Sequence, residues 1–129
     1  MRHFKVLLLS IISIVLMASC SNNDNSAAQP DYGKLIIGKW RTADSTYFER
    51  YYSDGTGKQW DLKDDVQEDE AVPFRWEMDT EEPTRFMQWI QTSVGIEVPQ
   101  ACIILELTDN TFKYNNEGFR AEYSLIRAE

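Results

Sequence analysis

Few residues of this chain can act as nucleophiles or bases. It contains two cysteines, Cys20 and Cys102, and one histidine, His3. His3 lies in an N-terminal segment that we expect to be removed, which leaves the mature chain without histidine. Ser-His-Asp catalysis, Cys-His catalysis and histidine metal sites are therefore excluded. Cys102 lies in an apolar run with no base to form its thiolate, so we predict a small buried hydrophobe there and no enzyme.

Carboxylates are the remaining groups that could take part in catalysis or bind a metal. Six acids lie between Asp61 and Glu70, and only Lys63 opposes their charge. Calcium binding is one interpretation, because hard cations take several carboxylate oxygens, but the spacing does not match an EF-hand loop and a solvated loop is favoured. No Asp or Glu lies in an apolar, cleft-like context that would raise its pKa. The sequence therefore predicts no carboxylate pair for glycoside hydrolysis, no metal and no cofactor.

The N-terminal segment has the parts of a secretory signal. Arg2 and Lys5 precede an apolar run, Val6 to Met17, which is followed by the small residues Ala18 and Ser19. A run of this length forms a helix of only about 18 Å, too short for a hydrocarbon core of about 30 Å. Because Cys20 directly follows the small pair, the segment resembles the signal of bacterial lipoproteins. An ordinary cleaved signal with an incidental cysteine is the alternative.

The lipoprotein resemblance implies a lipid anchor on Cys20, made of a diacylglyceryl group and an amide-linked acyl chain such as palmitate. Stable anchoring needs more than one chain, which this arrangement supplies. Residues 1–19 would be the signal peptide, and residues 20–32, rich in Ser, Asn and Ala, a flexible tether. We expect the protein at the bacterial outer membrane. Ser21 and the single Asp24 after the cysteine favour the periplasmic side over the cell surface.

The mature chain is strongly acidic. Residues 1–19 contain two of the 13 Lys and Arg and none of the 21 Asp and Glu, so their removal leaves 11 basic against 21 acidic residues, a net charge of −10. Nucleic acid and anionic membrane surfaces repel a protein of this charge. We therefore expect no nucleic-acid partner, and a membrane link only through the lipid.

Residues 33–129 have the pattern of a single all-β domain. Short runs of aromatic and β-branched residues alternate with Gly, Asp and Asn clusters. Short loops between successive strands imply antiparallel neighbours, and about eight such strands suit a small up-and-down β-barrel. The predicted strands are 37–44, 46–52, 57–62, 73–78, 85–91, 101–107, 111–115 and 119–127.

Alternation within these strands predicts the faces of the sheet. In the last strand Phe119, Ala121, Tyr123 and Leu125 share the inward face. The apolar faces of two further strands comprise Phe74, Trp76 and Met78 in the fourth, and Ile103, Leu105 and Leu107 in the sixth. Cys102 and Ile104 make the other face of the sixth strand apolar too, so that strand is expected to be covered on both sides.

Five stretches in order resemble the lipocalins and the wider calycin group, and most closely the lipocalin-like domains of Bacteroidota lipoproteins. The first is the Ile-x-Gly-x-Trp opening at Ile36 to Trp40. The others follow along nearly the whole of residues 33–129: Tyr51 to Gly57, Phe74 to Trp76, Ile104 to Asp109 and Tyr123 to Arg127. The resemblance implies a lipocalin-like barrel.

In that family the tryptophan plugs one end of the barrel and an arginine of the last strand packs across it. Gly38, Trp40 and Arg127 are the matching barrel-closing residues. The candidate ligand-lining residues are Phe48, Phe74, Trp76, Leu105 and Tyr123. The chain is shorter than full lipocalins, so a barrel filled by its own side chains stays an alternative to one with a deep cavity.

The sequence leaves two functions open. The first is a membrane-anchored carrier that binds a small apolar or amphipathic ligand in the cell envelope. The second is a non-catalytic protein-interaction module of an envelope complex, which would use an exposed apolar patch around Trp60 or Trp89, or the acidic loop. A cavity opposite Trp40 and Arg127 favours the first function, and a packed interior with such a patch favours the second.

Overall fold

The computed structural model describes residues 29–129, and Cys20, the predicted signal and most of the predicted tether lie outside the described residues. A short helix, α1 (Tyr32–Leu35), leads into eight antiparallel strands. These are β1 (Gly38–Arg41), β2 (Tyr47–Tyr51), β3 (Thr56–Asp61), β4 (Val72–Met78), β5 (Arg85–Gln91), β6 (Glu97–Leu107), β7 (Thr111–Asn116) and β8 (Ala121–Arg127). Each strand pairs with the next, and β8 pairs with β1 to close the barrel. The predicted all-β, eight-stranded, up-and-down barrel is confirmed.

Local turn chemistry sets the antiparallel order. In the turn between β2 and β3, Gly55 has a φ of 86°, a conformation that glycine adopts without steric cost. The Asp54 carboxylate accepts hydrogen bonds from the backbone N–H of Thr56 (3.0 Å) and from its hydroxyl (2.6 Å). A tight turn of this kind makes the next strand run antiparallel beside the previous one.

The up-and-down order gives the barrel two distinct ends. One end, which we call the closed end, holds α1, the C-terminus and the loops 52–55, 79–84 and 108–110. The other end, which we call the mouth, holds the loops 42–46, 62–71, 92–96 and 117–120. Ile36, Trp40 and Phe112, near the closed end, are completely buried, whereas Tyr47, Gln59 and Tyr123, near the mouth, are only half-buried.

Three inward positions expected from alternation, Ile103, Leu105 and Phe119, are wrong. Cys102 pairs with the buried Phe86 across β5 and β6 and points inward, so Ile103 points outward. The register between β6 and β7 shifts between Ile104 and Glu106, and a bulge of this kind breaks the alternation of faces. The bulge places Leu107 on the same inner face as Ile104 despite their odd spacing. Leu105, next to the inward Ile104, is 55% exposed on the outside. Phe119 precedes β8 in the turn after β7, where it is also 55% exposed.

The acidic loop is partly tied to the barrel wall. It forms two 3-10 turns, Leu62–Asp64 and Glu68–Glu70. The Glu68 carboxylate lies 3.1 Å from the Lys39 ammonium and 3.6 Å from that of Lys58, on the outer face of β1 and β3. Within residues 29–129 no three His, Cys, Asp or Glu side chains come close enough together to hold a metal ion. In the same range no helix has the length and apolar character needed to cross a membrane.

Candidate functional site

The closed end is sealed by an arginine laid over a tryptophan. The Arg127 guanidinium carbon lies 3.8 Å from the centroid of the Trp40 ring. Its nitrogens donate hydrogen bonds to the carbonyls of Ile37 (2.6 Å), Leu35 (2.8 Å) and Asp109 (2.9 Å). The indole N–H of Trp40 donates to the carbonyl of Ile36 (2.8 Å). The backbone carbonyls at the end of α1 are thereby satisfied, and the helix is fixed across the barrel end.

Gly38 makes room for this arrangement. A Cβ atom at residue 38 would overlap the Arg127 guanidinium, and the backbone there has a φ of 131°. A side chain at this position would therefore displace the arginine from the tryptophan. The structure brings together all three residues that the sequence singled out for the closed end, Gly38, Trp40 and Arg127.

Aromatic rings fill the barrel between its closed end and its centre. Phe112 contacts Trp40, Tyr51 and Phe86 with ring centroids 5.3, 5.8 and 6.0 Å apart. Phe74, buried, packs edge-on against Tyr51 at 5.1 Å. Trp76, half-buried, also faces Tyr51, and its indole N–H donates to the carbonyls of Tyr52 and Thr56. Phe74 and Trp76 therefore point inward as expected, but they belong to this packed core.

A buried glutamate with three tyrosine partners lies at the centre of the barrel. Glu49 is completely buried. Its Oε1 accepts hydrogen bonds from the hydroxyls of Tyr47 (2.7 Å) and Tyr114, and its Oε2 accepts one from Tyr51 (2.8 Å). The amide N–H of Gln88 donates to the Tyr51 hydroxyl at 2.6 Å. We call these five residues the glutamate cluster.

Burial raises the pKa of Glu49, and the three tyrosine hydrogen bonds oppose that rise. The pKa values of Tyr47, Tyr51 and Tyr114 are raised as well, by burial first and by the charge of Glu49 second. The raised pKa values keep the hydroxyls of these three tyrosines protonated. Burial also raises the pKa of the Cys102 thiol, and this free cysteine is buried, as the sequence predicts.

Sequence reasoning missed Glu49 and misplaced Phe48. The expectation that no carboxyl group has an environment that raises its pKa is wrong, because Glu49 has one. Phe48, expected to line the interior, lies on the outer face, where it stacks on Trp60 with ring centroids 5.0 Å apart. The signal lay in the alternation of Tyr47, Glu49 and Tyr51, which places two aromatic hydroxyls on the same face as the acid.

A pocket at the mouth lies directly above the glutamate cluster. It has a volume of about 210 Å³ and is formed by β2, β3, the start of β4 and the acidic loop. Its lining residues are Tyr47, Gln59, Trp60, Asp61, Asp64, Val66 and Val72. The Tyr47 hydroxyl, which donates to Glu49, is also 3.0 Å from the amide oxygen of Gln59. The pocket and the buried carboxylate are thus joined through one hydroxyl.

Tyr123 is the one predicted lining residue that reaches this region. Its ring stacks on Tyr114 at 4.9 Å and contacts Tyr47 at 5.5 Å. It therefore forms the side of the mouth next to the pocket, and Leu105 and Phe48 have no part in it.

The outer wall carries a second feature, around Trp89. Arg75 lies over the Trp89 ring at 4.6 Å and forms hydrogen bonds to both carboxylate oxygens of Glu97. Pockets of about 250 and 210 Å³ border Trp89 on either side. The sequence indicated this residue as a candidate for an apolar surface patch.

Comparison of the chain with protein-family models, with curated proteins and with solved structures gave no match. Function must therefore be argued from the barrel itself.

Proposed function

We propose that this protein is a non-catalytic binding protein that takes a small amphipathic ligand at the mouth of its barrel. The pocket of about 210 Å³ above the glutamate cluster is the observation that carries the proposal. It combines apolar walls with a few fixed polar groups, the composition typical of small-molecule sites. Because aromatic rings fill the rest of the interior, the ligand binds at the mouth and does not enter deeply.

The proposal includes the lipid anchor on Cys20 and a location at the outer membrane. The chain enters the barrel at the closed end, through Asp31 and α1. A tether from Cys20 would therefore join the barrel at its closed end, opposite the mouth. Cys20→Ala tests the anchor: labelled palmitate should be incorporated into the wild-type chain and not into the variant, and equal incorporation into both would contradict the anchor.

Blocking the pocket tests ligand binding. The full chain is purified from its own host into lipid nanodiscs, and the small molecules that accompany it are extracted and identified by mass spectrometry. Val72→Trp places an indole in the pocket at a strand position that tolerates aromatic residues. Val94→Trp is the control, because Val94 is 76% exposed in a mouth loop outside the pocket.

We expect a compound that accompanies the wild type and Val94→Trp but not Val72→Trp. A compound retained equally by all three chains would contradict binding in this pocket. So would the absence of any compound enriched over empty nanodiscs.

The surface around Trp89 favours a second candidate function, the docking of an envelope protein. A half-buried tryptophan held under an arginine, with a pocket on each side, has the composition of an interface anchor. A photo-crosslinking residue at Met87, beside Trp89, should give a discrete adduct in cells that Trp89→Ala abolishes. The same crosslinker at Lys113, on the outer face of β7, should give none, and identical adducts from both positions would contradict specific docking.

A further inference from the structure

We propose that the ligand taken at the mouth is a small organic cation, an ammonium group that carries an apolar substituent. This inference rests on the proposed function, since it assigns the charge of the ligand for the same pocket. Two carboxylates and an amide oxygen line the pocket, and within the described part of the chain no basic side chain is paired with those carboxylates.

The apolar part of the pocket sets the size of the substituent. Val66, Val72 and the rings of Tyr47 and Trp60 supply its apolar lining. Its volume of about 210 Å³ lies below the roughly 300–1,000 Å³ of sites for drug-sized ligands. The substituent is therefore no larger than a short alkyl chain or one aromatic ring.

The hydroxyl of Tyr47 has no proton to give to a ligand. A hydroxyl carries one proton, and the buried Glu49 carboxylate, 2.7 Å away, is a stronger acceptor than a neutral amide. The Gln59 amide beside the same hydroxyl is then satisfied by turning its NH₂ group toward the tyrosine oxygen, an orientation compatible with the 3.0 Å separation. Its carbonyl oxygen is left as the group that can meet a ligand.

Two carboxylates complete the polar lining. Asp61 uses one oxygen to accept the backbone N–H of Lys63 at 2.8 Å. Among residues 29–129, no basic side chain lies within salt-bridge distance of Asp61 or Asp64, because the Lys63 ammonium pairs with Asp44 at 3.4 Å. The pocket is thus lined by two carboxylates, an amide carbonyl and the rings of Tyr47 and Trp60. The Lys39 and Lys58 ammonium groups already lie 5.4 and 5.7 Å from the Trp60 ring, so the preference for a cation rests on Asp61 and Asp64. The two carboxylates would repel an anionic ligand.

A matched set of probes tests the charge of the ligand. Phenethylamine, phenethyl alcohol and phenylacetate have similar size and one aromatic ring, and they carry a positive, zero and negative charge at neutral pH. Their binding to the full chain in nanodiscs of neutral lipid is measured by equilibrium dialysis against empty nanodiscs. We expect the amine to bind at least about tenfold more tightly than the alcohol, the scale of one charge-assisted hydrogen bond, and the acid to bind least.

The variants remove charge without changing shape. Asp61→Asn with Asp64→Asn should reduce the affinity for phenethylamine by about tenfold or more and leave phenethyl alcohol unchanged. Asn at residue 61 can still accept the N–H of Lys63, so the loop keeps its cap. Asp65→Asn is the control: Asp65 is exposed in the same loop outside the pocket, and asparagine tolerates its φ of 60°.

The outcomes separate this inference from the proposed function. If amine and alcohol bind equally and Val72→Trp abolishes both, the pocket binds ligand but the cation inference is overturned. If none of the probes binds more to the protein than to empty nanodiscs, or if Val72→Trp changes nothing, the inference fails together with the pocket. Equal loss of amine binding in Asp65→Asn and in the double variant would assign the preference to the general charge of the protein and would also overturn the inference.

Discussion

The guanidinium of Arg127 lies 3.8 Å from the ring centroid of Trp40 and closes one end of the barrel. The same side chain donates to carbonyls of α1, of the segment after it and of the loop between β6 and β7. One cation therefore joins the last strand, the helix and a loop to a buried indole. Strands β1 and β8 pair over only two residues each, Trp40 with Arg127 and Arg41 with Ile126, so this contact reinforces the shortest seam of the barrel.

Arg127→Lys should weaken this seam. A lysine ammonium is a compact point charge and cannot reach three separate carbonyls while it covers the indole. We expect a loss of about 2–3 kcal/mol in the free energy of unfolding, measured by urea denaturation. Arg120→Lys, in the exposed turn after β7, is the control and should change stability by less than about 0.5 kcal/mol. Equal urea midpoints for the two variants would show that the seal at the closed end contributes little.

Gly57→Ala should destabilise the barrel for a steric reason. A Cβ at residue 57 would overlap the Phe74 ring and lie 2.6 Å from the carbonyl oxygen of Arg50. We expect a loss of about 1–3 kcal/mol in urea unfolding, the usual result of overpacking. Gly33→Ala is the matched comparison, because its nearest neighbours lie at 3.4 and 3.5 Å and alanine is a better helix former. A Gly57→Ala variant as stable as Gly33→Ala would mean that Phe74 moves aside freely.

The fold could be predicted because its signals are local. Turn residues such as those around Gly55 determine which strands pair. The closing role of Gly38 and Trp40 was expected only because the opening stretch resembles that of the lipocalins. The inward faces of β4 and β8 followed from simple alternation. These features need only residues that are near one another in sequence.

The glutamate cluster was missed because alternation groups Tyr47, Glu49 and Tyr51 on one face of β2, but only the register with β1 decides that this face points inward. Glu49 pairs directly with Trp40 across β1 and β2, and directly opposed residues lie on the same face of a sheet. Once Trp40 points inward, Glu49 must do so and Phe48 must point outward. Hydrophobicity alone favours the opposite arrangement, with Phe48 inward and Glu49 outward. Leu105 was misplaced for the same reason: Cys102 pairs with the inward Phe86 across β5 and β6, so Ile104 points inward and Leu105 outward.

The mouth pocket depends on still longer-range contacts. Its outer wall is the acidic loop, whose position is fixed when Glu68 meets Lys39 and Lys58 on other strands. The composition shows only that the loop is acidic. Which of its residues face Tyr47 depends on these contacts with other strands.

Tyr114→Phe should destabilise the fold, because it removes one hydrogen-bond partner from the buried carboxylate. The Tyr114 hydroxyl donates to Glu49 in a site without access to water, so its loss leaves a carboxylate lone pair unsatisfied. We expect a loss of about 1.5–3 kcal/mol in urea unfolding at neutral pH. Tyr52→Phe removes a hydroxyl from an exposed tyrosine and should change stability by less than about 0.5 kcal/mol. Similar effects of the two substitutions would contradict a structural role for the cluster.

Glu49→Gln should change how stability depends on pH. Because burial raises the pKa of Glu49 above its value in the unfolded chain, about 4.3, the folded state holds the proton more tightly. The stabilisation from that proton is complete below the unfolded pKa and is lost as the pH rises to the folded pKa. The total loss is about 1.4 kcal/mol for each pH unit between the two pKa values. The glutamine variant has no such proton. We therefore expect the unfolding free energy of the wild type to fall relative to Glu49→Gln between about pH 4 and the raised pKa, and to stay parallel to it above.

Urea titrations of the wild type and of Glu49→Gln from about pH 4, near the unfolded pKa, to about pH 8 measure this difference. A difference that does not vary with pH would show that the hydrogen bonds from Tyr47, Tyr51 and Tyr114 cancel the effect of burial on the carboxyl group. A wild type that gains stability relative to the variant as the pH rises would show that those hydrogen bonds outweigh burial, because the folded state would then hold the proton less tightly than the unfolded chain does.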